Sequence, residues 1–409
     1  MKPPGTTAPA GYVRFVTLCG FLGWVFIYAD RMTFAPLFVP ISRSLGLSLT
    51  EAGFVLSVYM LGYVAMQIPF SLISDRAGLK RVLVPLYYIS GLSTLLIGVL
   101  GAAGRIDYGS LLGLALVLGF SAAAFMPQMT ALANYNFPPE RRAFYTSLLQ
   151  VGIPVGLIVA LVSAGPVYQA TGLWSLPLIV LGILTLAVGT MFLLGLRDIR
   201  TVHVAQQPVR FRLAFADRNL VLLYIVGFCV YYGNWVLISW GPSFFLLDRN
   251  LPLAYSGPLT ALYAVLAIPA GIGFSRLSDR WGRRKPLVCV LMPIGALLLF
   301  LAAYVSGVVQ IAIVLAIYGV AGALTLNPLL TAWTNDIVAA GEGAIPRATV
   351  MGVMNFSMML SALLAPSVTP AIGAATGNLQ WGFYLGVAAA LAGSAVSLFI
   401  ADSRPERAA

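Results

Sequence analysis

The sequence predicts an all-α membrane protein with twelve transmembrane helices in two pseudo-symmetric six-helix bundles. Three observations predict it: the composition, the number of apolar segments and an internal repeat. Of the 409 residues, 60% are hydrophobic and only 9% are charged, and the mean hydropathy is +0.92. Average globular chains carry about 25% charged residues. So few charges cannot cover a water-facing surface, and a soluble domain, a coiled coil, collagen and a disordered chain are excluded.

Twelve apolar segments are separated by charges, Pro/Gly pairs and polar clusters, and each is long enough to cross a bilayer as a helix. The predicted spans are 15–41, 52–73, 82–104, 110–135, 143–169, 172–196, 219–247, 257–278, 286–306, 309–335, 348–372 and 379–401. The only long polar stretch lies between the sixth and seventh spans. We therefore predict an N-terminal bundle over 11–196, a cytoplasmic connector over 197–218 and a C-terminal bundle over 219–402.

The basic residues predict the orientation of the chain. The net charge is +11, which on a soluble domain would suggest a nucleic-acid partner. However, 20 of the 24 Lys and Arg residues fall on the side of the two termini, and only Arg43, Arg105 and Arg249 fall in the opposite loops. Cytoplasmic loops are enriched in Lys and Arg. We therefore predict cytoplasmic termini, a multi-pass protein of the plasma (inner) membrane, and no nucleic-acid partner.

The two halves repeat each other. Residues 71–81 follow the second span and residues 275–285 follow the eighth, at an offset of 204. Arg142 follows the fourth span and Arg347 the tenth, at an offset of 205. Two markers at nearly the same offset indicate that the chain is built from two related halves.

These repeated loops resemble the signature G-x-x-x-D-R-x-G-x-K/R-K/R of the major facilitator superfamily (MFS), and the resemblance covers almost the whole chain. Ser71 and Ser275 stand where the signature has its leading Gly. The resemblance implies the MFS fold, transport by alternating access, and a gating role for these loops. The implied gating residues are Asp75, Arg76, Gly78, Arg81, Arg142, Asp279, Arg280, Gly282, Arg284 and Arg347.

The resemblance also implies partners for the two loop acids. It pairs Asp75 with Arg142 and the start of the eleventh span, and Asp279 with Arg347 and the start of the fifth. Such contacts would hold the cytoplasmic side closed and would break in the opposite state. The alternative is that these loops only set the topology.

The sequence of the first span indicates one branch of the superfamily. Tyr28-Ala29-Asp30-Arg31 is similar to the Asp-Arg pair of the anion:cation symporter branch, and residues 239–243 (SWGPS) add support. That branch implies transport of organic anions, such as sugar acids, with protons or sodium. Related symporters often carry a charged residue in span four, whereas span four of this chain has none.

Asp30 and Arg31 are the only acid and base that we place deep in the membrane, where ionisable groups are costly and usually functional. Arg31 offers a planar fork of donors that matches a carboxylate, so it is the candidate anion anchor. Burial disfavours a charged carboxylate, so Asp30 is the candidate proton-coupling site. Because consecutive helical residues point about 100° apart, we expect the two side chains to face different partners. The alternative for both is a structural role between helices.

Further cavity candidates are polar or aromatic residues inside the spans. Interhelical hydrogen bonding or packing is the alternative for each of them. With Arg31, the predicted substrate-binding residues are Tyr28, Tyr59, Tyr63, Gln67, Gln128, Tyr232, Trp235, Asn327 and Asn355.

The predicted function is proton-coupled symport of a small organic anion, a carboxylate or a sugar acid, by a monomer in the lipid bilayer. The alternative is an efflux antiporter for hydrophobic or cationic compounds. Span five, however, reads Gly152-Ile153-Pro154-Val155-Gly156 and does not match the G-x-x-x-G-P-x-x-G-G pattern of related exporters. An enzyme is not expected, because the single histidine lies in the connector and no metalloprotease, nucleophile-elbow or phosphate-loop motif is present. No cofactor or metal is expected either.

Overall fold

The computed structural model describes residues 9–137, 141–197, 211–340 and 347–402. These ranges contain helices and no strands. The helices are α1 (Ala10–Met32), α2 (Phe34–Leu45), α3 (Leu49–Ala77), α4 (Leu79–Ala102), α5 (Tyr108–Ala123), α6 (Phe125–Asn136), α7 (Arg142–Gln150), α8 (Gly152–Thr171), α9 (Leu176–Gly195), α10 (Phe211–Ala214), α11 (Arg218–Leu247), α12 (Leu253–Trp281), α13 (Lys285–Tyr304), α14 (Val308–Ala321), α15 (Ala323–Ala340), α16 (Arg347–Thr376) and α17 (Gln380–Leu398).

Twelve helical segments among the described residues are long and apolar enough to cross a membrane, which confirms the predicted number. Their bounds differ from the apolar segments read from the sequence by up to several residues, in some spans outward and in others inward. The first span, for example, runs over Gly11–Leu45 because helix continues into the polar ends of the segment. The predicted connector falls mainly on residues 198–210, which lie outside the described ranges.

Four of the spans consist of two helices joined at a single residue. The break at Gly322 has no proline three residues after it, but the other three breaks do. The breaks and their prolines are Thr33 with Pro36, Ala124 with Pro127 and Val151 with Pro154. Each proline is the third residue of the new helix, where a backbone N–H has no intrahelical partner to lose. It cannot donate to the carbonyl four residues earlier, so the helix is interrupted there and restarts.

The chain divides into two compact units. The first unit comprises Met1–Leu47 and Val58–Val204, and the second comprises Ser48–Ser57 and Ala205–Ala409. Close helix packing in the first unit depends on glycine. A Cβ on Gly156 of α8 would lie 2.3 Å from the carbonyl oxygen of Val25 in α1. A Cβ on Gly119 of α5 would lie 2.0 Å from that of Tyr59 in α3. No larger residue fits at either place without moving a helix.

Helix α11 is the most buried element of the second unit and packs mainly against α16 and α17. Trp240 of α11 donates its indole N–H to the Pro366 carbonyl at 3.0 Å. In an uninterrupted helix this carbonyl would accept from residue 370, which is Pro370 and has no N–H. Trp240 therefore satisfies a backbone acceptor that α16 itself leaves open.

Candidate functional site

Arg31 lies at the end of α1 in an aromatic environment. The side chain is buried, with 4% of the residue exposed, and its Cζ lies 3.9 Å from the ring centroid of Tyr28 and 6.0 Å from that of Tyr63. Tyr63 in turn stacks on Tyr59, with 6.4 Å between centroids and 15° between planes. A guanidinium held over aromatic rings gains a cation–π attraction, and its N–H donors lie in its own plane. The structure thus brings together four of the predicted site residues.

Asp30 faces in a different direction, as the helical spacing predicts. Its carboxyl is fully buried, and its Oδ2 accepts a hydrogen bond of 2.9 Å from the Thr185 hydroxyl of α9. Tyr87 and Thr94 of α4 lie near the same carboxyl. Asp30 is therefore held between α1, α4 and α9, inside the first unit.

The two predicted glutamines lie outside the aromatic group around Arg31. Gln128 of α6 is buried and donates its Nε2 to the Ser74 hydroxyl of α3 at 2.8 Å. Gln67 is half-buried, and its Nε2 lies 3.9 Å from the sulfur of Met126. Both contacts connect α3 with α6, which is the packing alternative considered for them.

The second unit contains the remaining cavity candidates. Tyr232 and Trp235 of α11 are buried, with 5% and 1% exposed, and the Tyr232 ring lies 5.8 Å from that of Phe228. The Tyr232 hydroxyl has no hydrogen-bond partner among the described residues. Asn327 of α15 and Asn355 of α16 are half-buried. A buried phenol without a partner is a group that a polar ligand can satisfy.

Arg284 is the centre of the repeated loop in the second unit. Its guanidinium donates to Asp279 of the motif, to Asp336 near the end of α15 at 3.1 Å, and to the Ser278 hydroxyl at 2.9 Å. Although partial burial opposes the charged form, the hydrogen bonds to the two acids raise the pKa of Arg284 above its usual value. The loop is thereby fixed to the end of α15.

The contacts of Asp279 and Arg347 in this structure are with other residues, and their implied pairing stays a prediction. Arg347 donates its Nε to the side-chain oxygen of Asn335 at 2.7 Å, while Asp279 pairs with Arg284. Arg284 follows Asp279 by five residues and already lies between two acids, so this pairing needs no rearrangement. Asp75 and Arg76 lie at the end of α3, but their side chains are outside the described part of the structure, and the implied Asp75 pairing stays a prediction.

The motif glycines have a conformational role that the structure makes clear. Gly78 has φ +100° where α3 gives way to α4, and Gly282 has φ +61° as the C-cap of α12. Residues with a Cβ rarely adopt such backbone angles. The other predicted gating residues described here are Arg81 in α4, Arg142 at the start of α7 and Arg280 in the last turn of α12.

Sequence reasoning missed three residues of these sites. Thr185 contacts Asp30 from 155 positions away, and one uncharged Thr in an apolar span gives no signal. Asp336 carries a detectable signal, because it is an acid near the end of span ten. Asn234, buried with 2% exposed, could have been found by applying the offset of 204 to Asp30.

In the described ranges, no group of three or more His, Cys, Asp or Glu side chains could hold a metal ion.

Comparison with known proteins agrees with this architecture. The family model of the Major Facilitator Superfamily matches residues 20–346. A putative tartrate transporter of Agrobacterium vitis is 24% identical, with 96% of this chain and 90% of that protein aligned. A probable sulfoacetate transporter of Cupriavidus necator is 25% identical, with 93% of each chain aligned. An inward-facing, occupied crystal structure of a bacterial homologue of the human lysosomal transporter Spinster superposes with a TM-score of 0.78 at 16% identity, over 96% of this chain and 97% of that one. The chain is a multi-pass membrane transporter and belongs to the Major Facilitator Superfamily.

Proposed function

We propose that this transporter carries a small organic anion, a carboxylate or a sugar acid, in symport with protons across the plasma membrane. The observation that carries the proposal is the buried guanidinium of Arg31, stacked on Tyr28 in the middle of the first span. An ionisable side chain at such a place is costly and is usually retained for function. A permanent positive charge there attracts anions and repels cations, which disfavours the alternative of exporting cationic compounds.

The substrate class follows from the geometry of the anchor and from the relatives. The guanidinium of Arg31 lies over the Tyr28 ring, and a carboxylate ligand would meet the group along its N–H edge. There two parallel N–H donors match a planar carboxylate. The aligned relatives are named for tartrate and sulfoacetate, and both of these anions carry a carboxylate. Tyr59 and Tyr63 would orient the substrate beside the anchor.

Asp30 supplies the coupling in this proposal. The carboxyl lies next to Arg31 in the chain but forms its hydrogen bond with Thr185 of α9. Its environment therefore depends on how α1 and α9 pack together. Protonation removes the charge of a buried carboxylate, and its environment changes when the helices move. Proton uptake and release at Asp30 would thereby be linked to the conformational cycle.

The repeated loops are the gating elements of this proposal. Arg284 joins the loop after α12 to the end of α15 through Asp279 and Asp336. Ion pairs of this kind can form in one state of a transporter and break in the other. We place these loops and both termini on the cytoplasmic side, since the basic residues concentrate there.

Ligand-induced thermal stabilisation of the purified protein tests the anion anchor. Tartrate, sulfoacetate and glucuronate are added at several concentrations, with choline chloride as the ionic-strength control. A ligand at 100 times its Kd stabilises the folded state by about 2.7 kcal/mol, so at least one anion should raise the melting temperature in a saturable way. Arg31→Lys keeps the charge but removes the planar fork, and should abolish the shift.

The matched control is Arg43→Lys. Arg43 lies in α2 of the same span but is exposed, so this variant should respond like the wild type. Equal stabilisation of the wild type and Arg31→Lys by every binding anion would contradict the proposed anchor.

A further inference from the structure

The two carboxyl oxygens of Asp30 have different environments. Oδ2 accepts the hydrogen bond from Thr185, whereas Oδ1 has no hydrogen-bond partner among the described residues. Thr94 of α4 also lies within hydrogen-bonding range of the carboxyl, and its hydroxyl donates to the Ser90 carbonyl at 3.3 Å. The Ser90 hydroxyl is fully buried and also has no partner in the described ranges. One oxygen is therefore held by a hydrogen bond, whereas the other has no partner among the described residues.

The internal repeat provides a comparison for this arrangement within the same chain. The offset of 204 places Tyr28-Ala29-Asp30-Arg31 on Tyr232-Gly233-Asn234-Trp235. The helix packing repeats as well, since α9 packs against α1 and α4, and α17 packs against α11 and α13. Asp30 and Asn234 thus lie in corresponding helices that pack against corresponding neighbours.

The side chains around the two positions differ in one consistent way. The corresponding pairs are Asp30 and Asn234, Ser90 and Ile294, Thr94 and Leu298, and Thr185 and Ala389. Where the second half has a neutral amide, all three hydroxyls are replaced by apolar side chains. The helices pack in both halves, so packing does not require the hydroxyls. At these positions, the three hydroxyls occur only in the half of the chain that carries the acid.

We infer that Thr185 is a positioning residue for the coupling carboxyl, whose hydroxyl fixes Oδ2 of Asp30 and leaves Oδ1 as the oxygen that takes up the transported proton. The inference rests on the proposed role of Asp30 in coupling. On uptake, an O–H bond forms at Oδ1 and the carboxyl becomes neutral. On release, that bond breaks, the proton returns to water, and the Thr185 hydrogen bond stabilises the carboxylate that remains.

Few other ionisable groups face this carboxyl. Arg31 follows it in α1, Tyr59 approaches from α3 and Tyr87 from α4. Helix α9 contains no ionisable side chain, and α8 has only Tyr168, three residues before its last residue. Since none of these neighbours is an acid, a carboxyl titration in this region reports on Asp30.

Infrared difference spectroscopy of the purified protein over a pH series tests the inference without a substrate. The readout is the infrared band of the C=O stretch of protonated carboxyls. The share of this band that disappears in Asp30→Asn is assigned to Asp30. Thr185→Ala introduces the residue that the second half has at the corresponding position, Ala389. Thr185→Val keeps the shape of the threonine side chain without its hydroxyl. Thr185→Ser restores the donor. Thr190→Val is the matched control, because Thr190 lies in the same helix but bonds the exposed Tyr88 hydroxyl at 2.8 Å.

Removing the donor destabilises the ionised carboxyl more than the neutral one, because hydrogen bonds to charged groups are the stronger ones. The midpoint of the Asp30 band should therefore rise by about one pH unit, a tenfold change in proton affinity, in the Ala and Val variants. Thr185→Ser and Thr190→Val should keep the wild-type midpoint. An unchanged midpoint in both Ala and Val variants, or an equal rise in Thr190→Val, overturns the role of Thr185 and leaves Asp30 as the coupling site. A titration that survives intact in Asp30→Asn instead refutes the coupling role of Asp30, and this inference with it.

Discussion

The Arg284 network offers a quantitative test of how the repeated loop is held. Arg284 bonds two acids whose surroundings differ: the Asp336 side chain is 30% exposed and that of Asp279 is 68% exposed, while Arg284 itself is 16% exposed. Arg284→Gln removes the charge and keeps most of the side-chain length. Combined with Asp336→Asn and Asp279→Asn, it forms two double-mutant cycles around one arginine.

Solvent exposure determines the expected coupling energies. Exposed ion pairs contribute about 0.2–1 kcal/mol because water and salt screen them. Hydrogen bonds to charged groups in more buried settings contribute about 1.5–3 kcal/mol. We expect a coupling energy of about 1–2 kcal/mol for Arg284 with Asp336, and less than about 0.5 kcal/mol for Arg284 with Asp279.

Thermal unfolding of the detergent-solubilised protein at low and high salt provides the assay. Arg283→Gln is the control, since this neighbouring side chain is 48% exposed and lies 3.6 Å from Asp402. The Asp336 coupling should persist at high salt, while the Asp279 coupling should disappear. A coupling to Asp279 as large as that to Asp336 would refute this ranking, and with it the view that the end of α15 anchors the loop.

Two further substitutions test the helix packing, again by thermal unfolding. Trp240→Phe removes the donor to the Pro366 carbonyl and should cost about 1–3 kcal/mol, because the buried acceptor loses its partner; a cost near zero would contradict this role. Gly319→Ala would place its Cβ 2.2 Å from the Tyr263 carbonyl oxygen and should cost about 1–3 kcal/mol by overpacking. Gly113→Ala, where nothing lies within 4 Å, should be neutral, and equal effects of the two alanines would contradict the close contact.

The class of fold and the number of spans could be predicted from the sequence because lipid requires long apolar helices. Three of the four helix breaks could have been predicted from Pro36, Pro127 and Pro154, each of which removes a backbone donor at a fixed place. The ends of the spans could not, since helix continues into polar residues wherever backbone hydrogen bonds can still form.

The candidate site was only partly predictable. Asp30 and Arg31 stand out because charges are rare in the spans, and helical spacing correctly separates their directions. The contact between Asp30 and Thr185 could not be predicted, since these spans are apolar on every side and periodicity does not show which face meets which neighbour. The partner of Asp279 was assigned from family resemblance to Arg347, whereas the nearer Arg284 competes for it.

Proton-driven uptake in reconstituted vesicles tests the central claim most directly. The substrate is the anion that gives the largest thermal shift, and choline replaces sodium throughout. With acid outside, the wild type should accumulate the anion above its external concentration, and a protonophore should abolish the accumulation. Asp30→Asn should lose accumulation but keep anion exchange, and Arg31→Lys should lose both. Accumulation that needs no proton gradient, or that is undiminished in both variants, would contradict proton-coupled anion transport through Asp30 and Arg31.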